Sequence, residues 1–185
     1  MPAALEDAQD SRLQLDDVPL EGCPPWLGVD RALGAWAAWR RQQSQGGDLD
    51  QGLLLADAGT VLSLTLIDAR GCFRGGRLMP GLRLQLQAMA SGTALLPAVT
   101  GQPRSDDPFP TDTAEAMGQG VRQGLAAAVA DAQQRSGACL WLCGGDAPWL
   151  QEEMIRRGVS AQMDQQLQLQ AMVDLIPVVK PVPDH

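Results

Sequence analysis

The chain has 185 residues, 45% of them apolar, and a formal net charge of −8. That is enough for one ordinary domain or two small lobes with a real core, and it excludes disorder throughout. The acidic balance excludes duplex DNA, RNA and anionic membrane as main partners, since those need a basic face, while a nucleotide held by main-chain donors and a metal stays compatible.

The N-terminus, Met1-Pro2-Ala3-Ala4-Leu5-Glu6-Asp7, carries acids where a signal peptide has basic residues before an apolar core. No apolar run approaches the roughly 18 residues of a membrane span, so the expectation is a soluble cytoplasmic protein. Residues 1 to 12 are uneven and polar and read as a frayed end. Leu13 to Val18 alternates briefly and predicts a short edge strand. Gly22-Cys23-Pro24-Pro25 then forces an extended turn, because proline fixes φ and keeps the residue before it out of the helical region. Asp30 is placed to act as N-cap of a helix over Arg31 to Arg41, whose apolar residues recur at helical spacing.

Two apolar runs follow, Leu53 to Ala56 and Val61 to Ile67, joined by Asp57-Ala58-Gly59-Thr60. A carboxylate, a glycine and a hydroxyl at such a hinge suit a loop that meets phosphate oxygens while the aspartate holds a cation. Asp68-Ala69-Arg70-Gly71 turns the chain into a third strand at Cys72-Phe73-Arg74, so an antiparallel three-strand start is expected. Gly75-Gly76-Arg77-Leu78-Met79-Pro80-Gly81 reads as a second glycine cluster at a strand end, with a helix over Leu82 to Ala90. Its glycines either serve the site or only permit tight backbone turns. Leu95 to Thr111 reads as loop. A long helix is predicted from Thr113 to Arg135, with Ala114, Met117, Val121, Leu125, Ala128, Val129 and Ala132 as its apolar stripe. Ala138 to Cys143 predicts a buried strand ending in Gly144-Gly145, which either belong to the site or simply end the strand. Pro148 opens a helix over Trp149 to Arg157. The glutamine-rich stretch 162–170 leads into a last helix from about Gln166 to Leu175, with Leu167, Leu169, Met172, Val173 and Ile176 available for an apolar face. The order β-β-β-α-α-β-α-α predicts an α/β fold with helices packed on a mixed sheet.

Cys23, Cys72, Cys139 and Cys143 form no C-x-x-C pair, and the single histidine is the last residue, His185. No zinc site is suggested, and Cys139 and Cys143 read as reduced residues on one side of a strand. Without a usable histidine, any general base must be a carboxylate.

The motifs Leu27-Gly28-Val29-Asp30-Arg31, Asp57-Ala58-Gly59-Thr60, Gly75-Gly76-x-x-x-Pro80-Gly81, Thr113-x-x-Ala116-x-x-x-Gly120 and Cys143-Gly144-Gly145-Asp146-Ala147 occur in one order and spacing. Together, over about residues 13 to 176, they resemble type III pantothenate kinase, with a likeness to cyanobacterial members in the Trp36-Ala37-Ala38-Trp39 helix. The resemblance implies the actin-like, Hsp70-like (ribonuclease H-like) superfold. It implies transfer of the γ-phosphoryl of ATP to pantothenate, in a homodimer using Mg2+ and a monovalent cation, K+ or NH4+. It further implies that Asp30 accepts the hydroxyl proton and that Gly28, Val29, Asp30 and Arg31 line the pantothenate site. Thr113 would reach pantothenate across the dimer interface, or merely cap its helix. Asp57 would bind the cation, and Gly59, Thr60, Gly144 and Gly145 would meet ATP. Phosphoryl transfer needs this equipment of carboxylates, main-chain donors and cations.

On that resemblance, residues 13–48 are expected to be a remnant of a first lobe carrying the pantothenate motif, residues 49–177 the second actin-like lobe and residues 178–185 a tail. Family members begin with a strand and an Asp-x-Gly-Asn-Thr type loop for the ATP phosphates, and nothing before Leu13 resembles it. Glu21 stands where many members have a substrate-contacting tyrosine, and this chain has no tyrosine. The expectation is an incomplete first lobe, impaired activity for this chain alone and an exposed sheet edge. The alternative is a non-catalytic binding or regulatory relative that keeps the fold and dimer surface. A generic sugar kinase or phosphatase of the same superfold is a third reading.

Overall fold

Leu53-Leu54-Leu55-Ala56 has no polar face because it lies at the centre of a sheet covered on both sides, where a continuous apolar run is needed. In the computed structural model, which describes residues 13–99 and 107–175, it belongs to strand β1 (Leu53–Ala58). β1 pairs antiparallel with β2 (Val61–Ile67), which pairs antiparallel with β3 (Phe73–Pro80). On its other side β1 pairs parallel with β4 (Cys139–Cys143), and β4 pairs parallel with β5 (Ala161–Met163). The order is β3-β2-β1-β4-β5.

Side chains alternate across β1, and each set meets its own helices. Leu54, Ala56 and Ala58 face a core built with α2 (Leu82–Gly92), α3 (Thr113–Ser136) and α4 (Ala147–Arg156). Leu53 and Leu55 face a second core built with α1 (Val29–Ser44) and α5 (Leu167–Leu175). Trp141 crosses into the second core, where its Nε1 donates to Gln42 Oε1 at 2.8 Å and fastens α1 to β4. Asp57 and Cys143 share the alternation of Leu55 and Trp141, so both lie on the α1/α5 face at the carboxyl ends of neighbouring parallel strands. This mixed sheet with helices on both faces is the ribonuclease H-like arrangement of the actin-like superfold. Open α/β sheets bind their ligands at this end of the parallel strands.

Several sequence expectations change. Leu13 to Val18 forms no edge strand but a 3-10 turn over Leu15–Asp17, because Asp17 Oδ2 accepts the Gln14 N–H at 2.8 Å and folds the segment back before Pro19 can extend it. Asp30 is not the N-cap of α1. The Pro24-to-Leu27 turn brings Gly28 into that position, its carbonyl accepts the Ala32 N–H at 3.1 Å, and Asp30 sits in the first turn. The hinge is shorter than four residues: pairing continues through Asp57 and Ala58, leaving Gly59-Thr60 as the turn. The Gly75-Gly76 cluster lies inside β3 rather than at a strand end. A register shift at Leu66/Ile67 and a φ of 123° at Gly75 let pairing run on to Pro80. β5 was not expected, because three residues, none of them buried, leave no periodic signature.

The other helices fall where the pattern puts them. Asp112 caps α3 by accepting the Glu115 N–H at 3.0 Å, and Gly137 ends it at φ 67°. Residues 1–12, Ile176 and the tail, for which the sequence also carries expectations, lie outside the described residues, as does part of the 95–111 loop.

α3 and α4 are tied by a buried charge cluster. Arg122 donates to Glu153 Oε1 at 3.3 Å, Arg156 reaches the same oxygen at 2.8 Å and Gln123 holds Oε2 at 3.1 Å. Removing the carboxylate leaves a buried guanidinium without its counter-charge. Glu153→Ala is therefore expected to cost about 3–5 kcal/mol in urea unfolding, and a loss under about 1 kcal/mol would show the cluster to be solvated.

Candidate active site

The three glycine clusters serve one turn and one arginine. Gly81 donates its N–H to the Thr60 carbonyl at 2.8 Å, and a Cβ there would overlap the Gly59 carbonyl oxygen. Gly144, at φ 89°, packs so closely on β1 that a Cβ would overlap the Ala58 carbonyl and stand 2.6 Å from Asp57 Oδ1. The Asp146 N–H closes the same junction by donating to the Ala58 carbonyl at 2.9 Å. Gly81 and Gly144 thus hold the Asp57–Thr60 hinge from two sides by backbone approach that no larger residue permits. Gly76 serves Arg31 instead: a Cβ there would lie 2.5 Å from the Arg31 guanidinium and overlap the Leu64 carbonyl.

Asp57 is half-buried at the end of β1. Burial pushes its carboxyl above the ordinary carboxylate range, hydrogen bonds from Gln168 and the Cys143 thiol oppose this, and the charge of Asp30 adds to the rise. Cys143 is itself pushed up, first by burial and then by Asp57, so it stays a protonated donor. Asp30 is exposed at the mouth of α1, and Gly28 leaves room for its carboxylate to fold back, since a Cβ would stand 2.5 Å from Oδ1. The structure therefore brings together the two aspartates singled out from the sequence.

The remaining residues are distributed around this pair. Val29 opens α1 and is partly covered by the second core. Arg31 reaches across to β2, where Nε and Nη2 each lie 3.3 Å from Thr65 Oγ1 and Nη2 lies 3.3 Å from the Leu64 carbonyl. Gly59 is half-buried and Thr60 exposed at the turn, while Gly145 is exposed next to Gly144, in open space. Asp146, beside them, has its carboxyl raised, burial being the main cause. Thr113 is exposed at the start of α3, which covers the opposite face of the sheet from α1, so the fold does not join it to the aspartate pair. It does not cap α3 either, since Asp112 does.

Gln168 was missed. Its Nε2 donates to Asp57 Oδ2 at 2.9 Å and lies 3.4 Å from the Asp30 carbonyl. The glutamine-rich stretch was visible in the sequence, but nothing in it marks one glutamine over its neighbours. Among the described residues no cluster of three or more histidine, cysteine or acidic side chains forms a metal site. Asp57 offers carboxylate oxygen beside a protonated Cys143 thiol, with Asp30 adding negative charge, chemistry that suits a hard cation better than zinc.

A mixed α/β sheet of the actin-like class, with Asp57 at the carboxyl end of β1 and Asp30 in the first turn of α1, defines the kind of domain. A solved structure described as a Baf family transcriptional activator from Campylobacter jejuni shares the fold, with a TM-score of 0.63 and 21% identity over 88% of this chain and 70% of that one. The family model for type III pantothenate kinase matches residues 20–135. The chain belongs to the type III pantothenate kinase family. A relative of that name from Synechococcus sp. (strain JA-2-3B'a(2-13)) is 42% identical over 148 residues, 75% of this chain and 55% of the relative. Another from Rhodopirellula baltica is 33% identical over 159 residues, 83% of this chain and 55% of the relative. The chain spans about half the length of these relatives. No helix among the described residues is long and apolar enough to cross a membrane.

Two outcomes test this geometry. Gly81→Ala keeps an ordinary φ of −70° but drives a methyl into the Gly59 carbonyl, so chemical denaturation should show a loss of about 1–3 kcal/mol. An unchanged midpoint would mean the hinge is not held there. The second concerns Asp57, which binds its proton more tightly folded than unfolded. Its ionisation costs nothing below the ordinary carboxylate range and costs stability as pH rises through the window up to the raised folded value. Asp57→Asn should therefore raise Tm at neutral pH and converge with the parent in acid, and scanning calorimetry with no gain at pH 7 would contradict the assigned burial.

Proposed function

We propose that this chain takes part in its family's reaction, ATP-dependent phosphorylation of pantothenate to 4'-phosphopantothenate, the first step of coenzyme A biosynthesis. The observation that carries the reading is the pair of aspartates: Asp30 exposed at the mouth of α1, and Asp57 close enough to feel its charge. An exposed carboxylate is suited to take the proton of the pantothenate hydroxyl as that oxygen forms its bond to the γ-phosphorus and the bond to the leaving ADP breaks. Gly28, Val29 and Arg31 line the pantothenate side. Arg31, held by Thr65 and the Leu64 carbonyl, offers a fixed positive charge to the substrate carboxylate.

ATP lies along the Gly59-Thr60 turn and the Gly144-Gly145 loop, where the exposed Thr60 and the exposed Gly145 backbone face outward towards its oxygens. Asp57 would hold a monovalent cation, K+ or NH4+, which with the Mg2+ carried by ATP supplies positive charge to the phosphates. A homodimer, with Thr113 reaching the partner's pantothenate, is favoured by the outer face of α3. There Thr113, Ala116, Gly120 and Gly124 are exposed, and a Cβ on either glycine would meet open space. A cytoplasmic location goes with the same reading.

A coupled assay with ATP, pantothenate, Mg2+ and K+ tests it, alongside calorimetry of pantothenate binding. Asp30→Asn is expected to lower turnover at least about 10²-fold while pantothenate still binds. Binding without turnover in the parent chain would instead favour the non-catalytic relative, and neither binding nor turnover would remove the kinase reading for this chain.

A further inference from the structure

We propose that Gln168 is a positioning residue for this site, holding Asp57 in register with the start of α1 so that the carboxylate presents its other oxygen to a cation. The proposal rests on the kinase reading above and extends it to a residue on a separate element, α5. A glutamine amide nitrogen carries two hydrogens. One is donated to Asp57 Oδ2 at 2.9 Å, and the nitrogen stands 3.4 Å from the main-chain carbonyl of Asp30. One side chain thus spans the end of β1 and the first turn of α1, the two places where the charged groups of the site reside.

The surroundings are built to hold it. Leu167, Ala171 and Leu175 bury one side of α5 against α1 and the sheet. Arg41 of α1 ties down the same region, with Nη2 3.1 Å from Asp164 Oδ2 and Nη1 donating to Gln170 Oε1 at 3.0 Å. Gly34 of α1 makes room for the glutamine: a Cβ there would stand 3.2 Å from Gln168 Nε2 and 3.4 Å from its Cγ. The neutrality of the donor also matters. A lysine here would neutralise Asp57 and compete with a cation, whereas an amide fixes one carboxylate oxygen and leaves the charge in place. The other oxygen, Oδ1, remains on the Gly144 side, towards the proposed phosphate turn.

The test uses the full chain, labelled with 15N and titrated with potassium chloride, with tetramethylammonium chloride as the ionic-strength control. In the parent, potassium should shift the Gln168 side-chain amide and the Gly59 and Gly144 backbone amides saturably, and Asp57→Asn should abolish all three responses. Gln168→Leu removes the donor at similar volume and should raise the apparent potassium dissociation constant at Gly59 and Gly144 at least fivefold. Gln168→Asn, too short to bridge, should do the same and replaces the leucine variant if that one does not fold. Unchanged potassium affinity in a folded Gln168 variant would overturn the proposal, as would the absence of a saturable potassium response in the parent. Calorimetry with pantothenate on the same samples separates the two readings: loss of pantothenate binding with an intact potassium response defeats the kinase assignment and leaves Gln168 in its role.

Discussion

The site depends on keeping a carboxylate half-buried at the end of a strand that has no polar face. β1 is apolar on both sides because helices cover both faces of the sheet, so its polar side chain emerges only where the strand runs out. At that point burial raises the free energy of the charged carboxylate, and hydrogen bonds from Gln168 and Cys143 offset part of the cost. What remains is a destabilised anion near a second carboxylate, Asp30, which is the electrostatic condition under which a cation is drawn in.

Glycine is the other half of the design. Gly81 and Gly144 are needed not for flexibility but because β-carbons would occupy the space taken by the backbone of the Asp57–Thr60 hinge. Their close approach holds the hinge from two directions, and fixed geometry of this kind is what the proposed phosphoryl transfer would draw on. Gly76 plays the matching role for Arg31, whose guanidinium lies over β3 and is anchored to β2. Arg31 is therefore part of the sheet's packing as well as a fixed charge close to Asp30 in sequence.

Much of this was legible beforehand. The apolar runs of β1, β2 and β4, the α3 stripe and the Pro148 helix start are local patterns that periodicity and capping express directly. Asp30 and Asp57 were singled out through motifs rather than periodicity, and the fold sets the main-chain carbonyl of one and the carboxylate of the other within reach of a single Gln168 amide nitrogen. The failures have physical causes. Leu13 to Val18 alternates, yet a local hydrogen bond from the Gln14 N–H to Asp17 competes successfully with strand pairing. Asp30 is a good capping residue, but the preceding turn delivers Gly28 to the cap first. Gly75 and Gly76 looked like an end because glycine usually breaks a strand, whereas here the register shift absorbs the positive φ.

The chain by itself marked most of the strands and helices, singled out Asp30 and Asp57 as candidate chemical groups and carried the family resemblance, because those properties are written in spacing and residue type. Only the tertiary structure decided that Gln168, 111 residues from Asp57, is its hydrogen-bond partner, that Gly81 and Gly144 clasp one turn, and that Thr113 lies on the far face of the sheet. Contacts between distant segments are set by which face of a shared sheet each helix covers, and that choice is made by collective burial rather than by any local pattern.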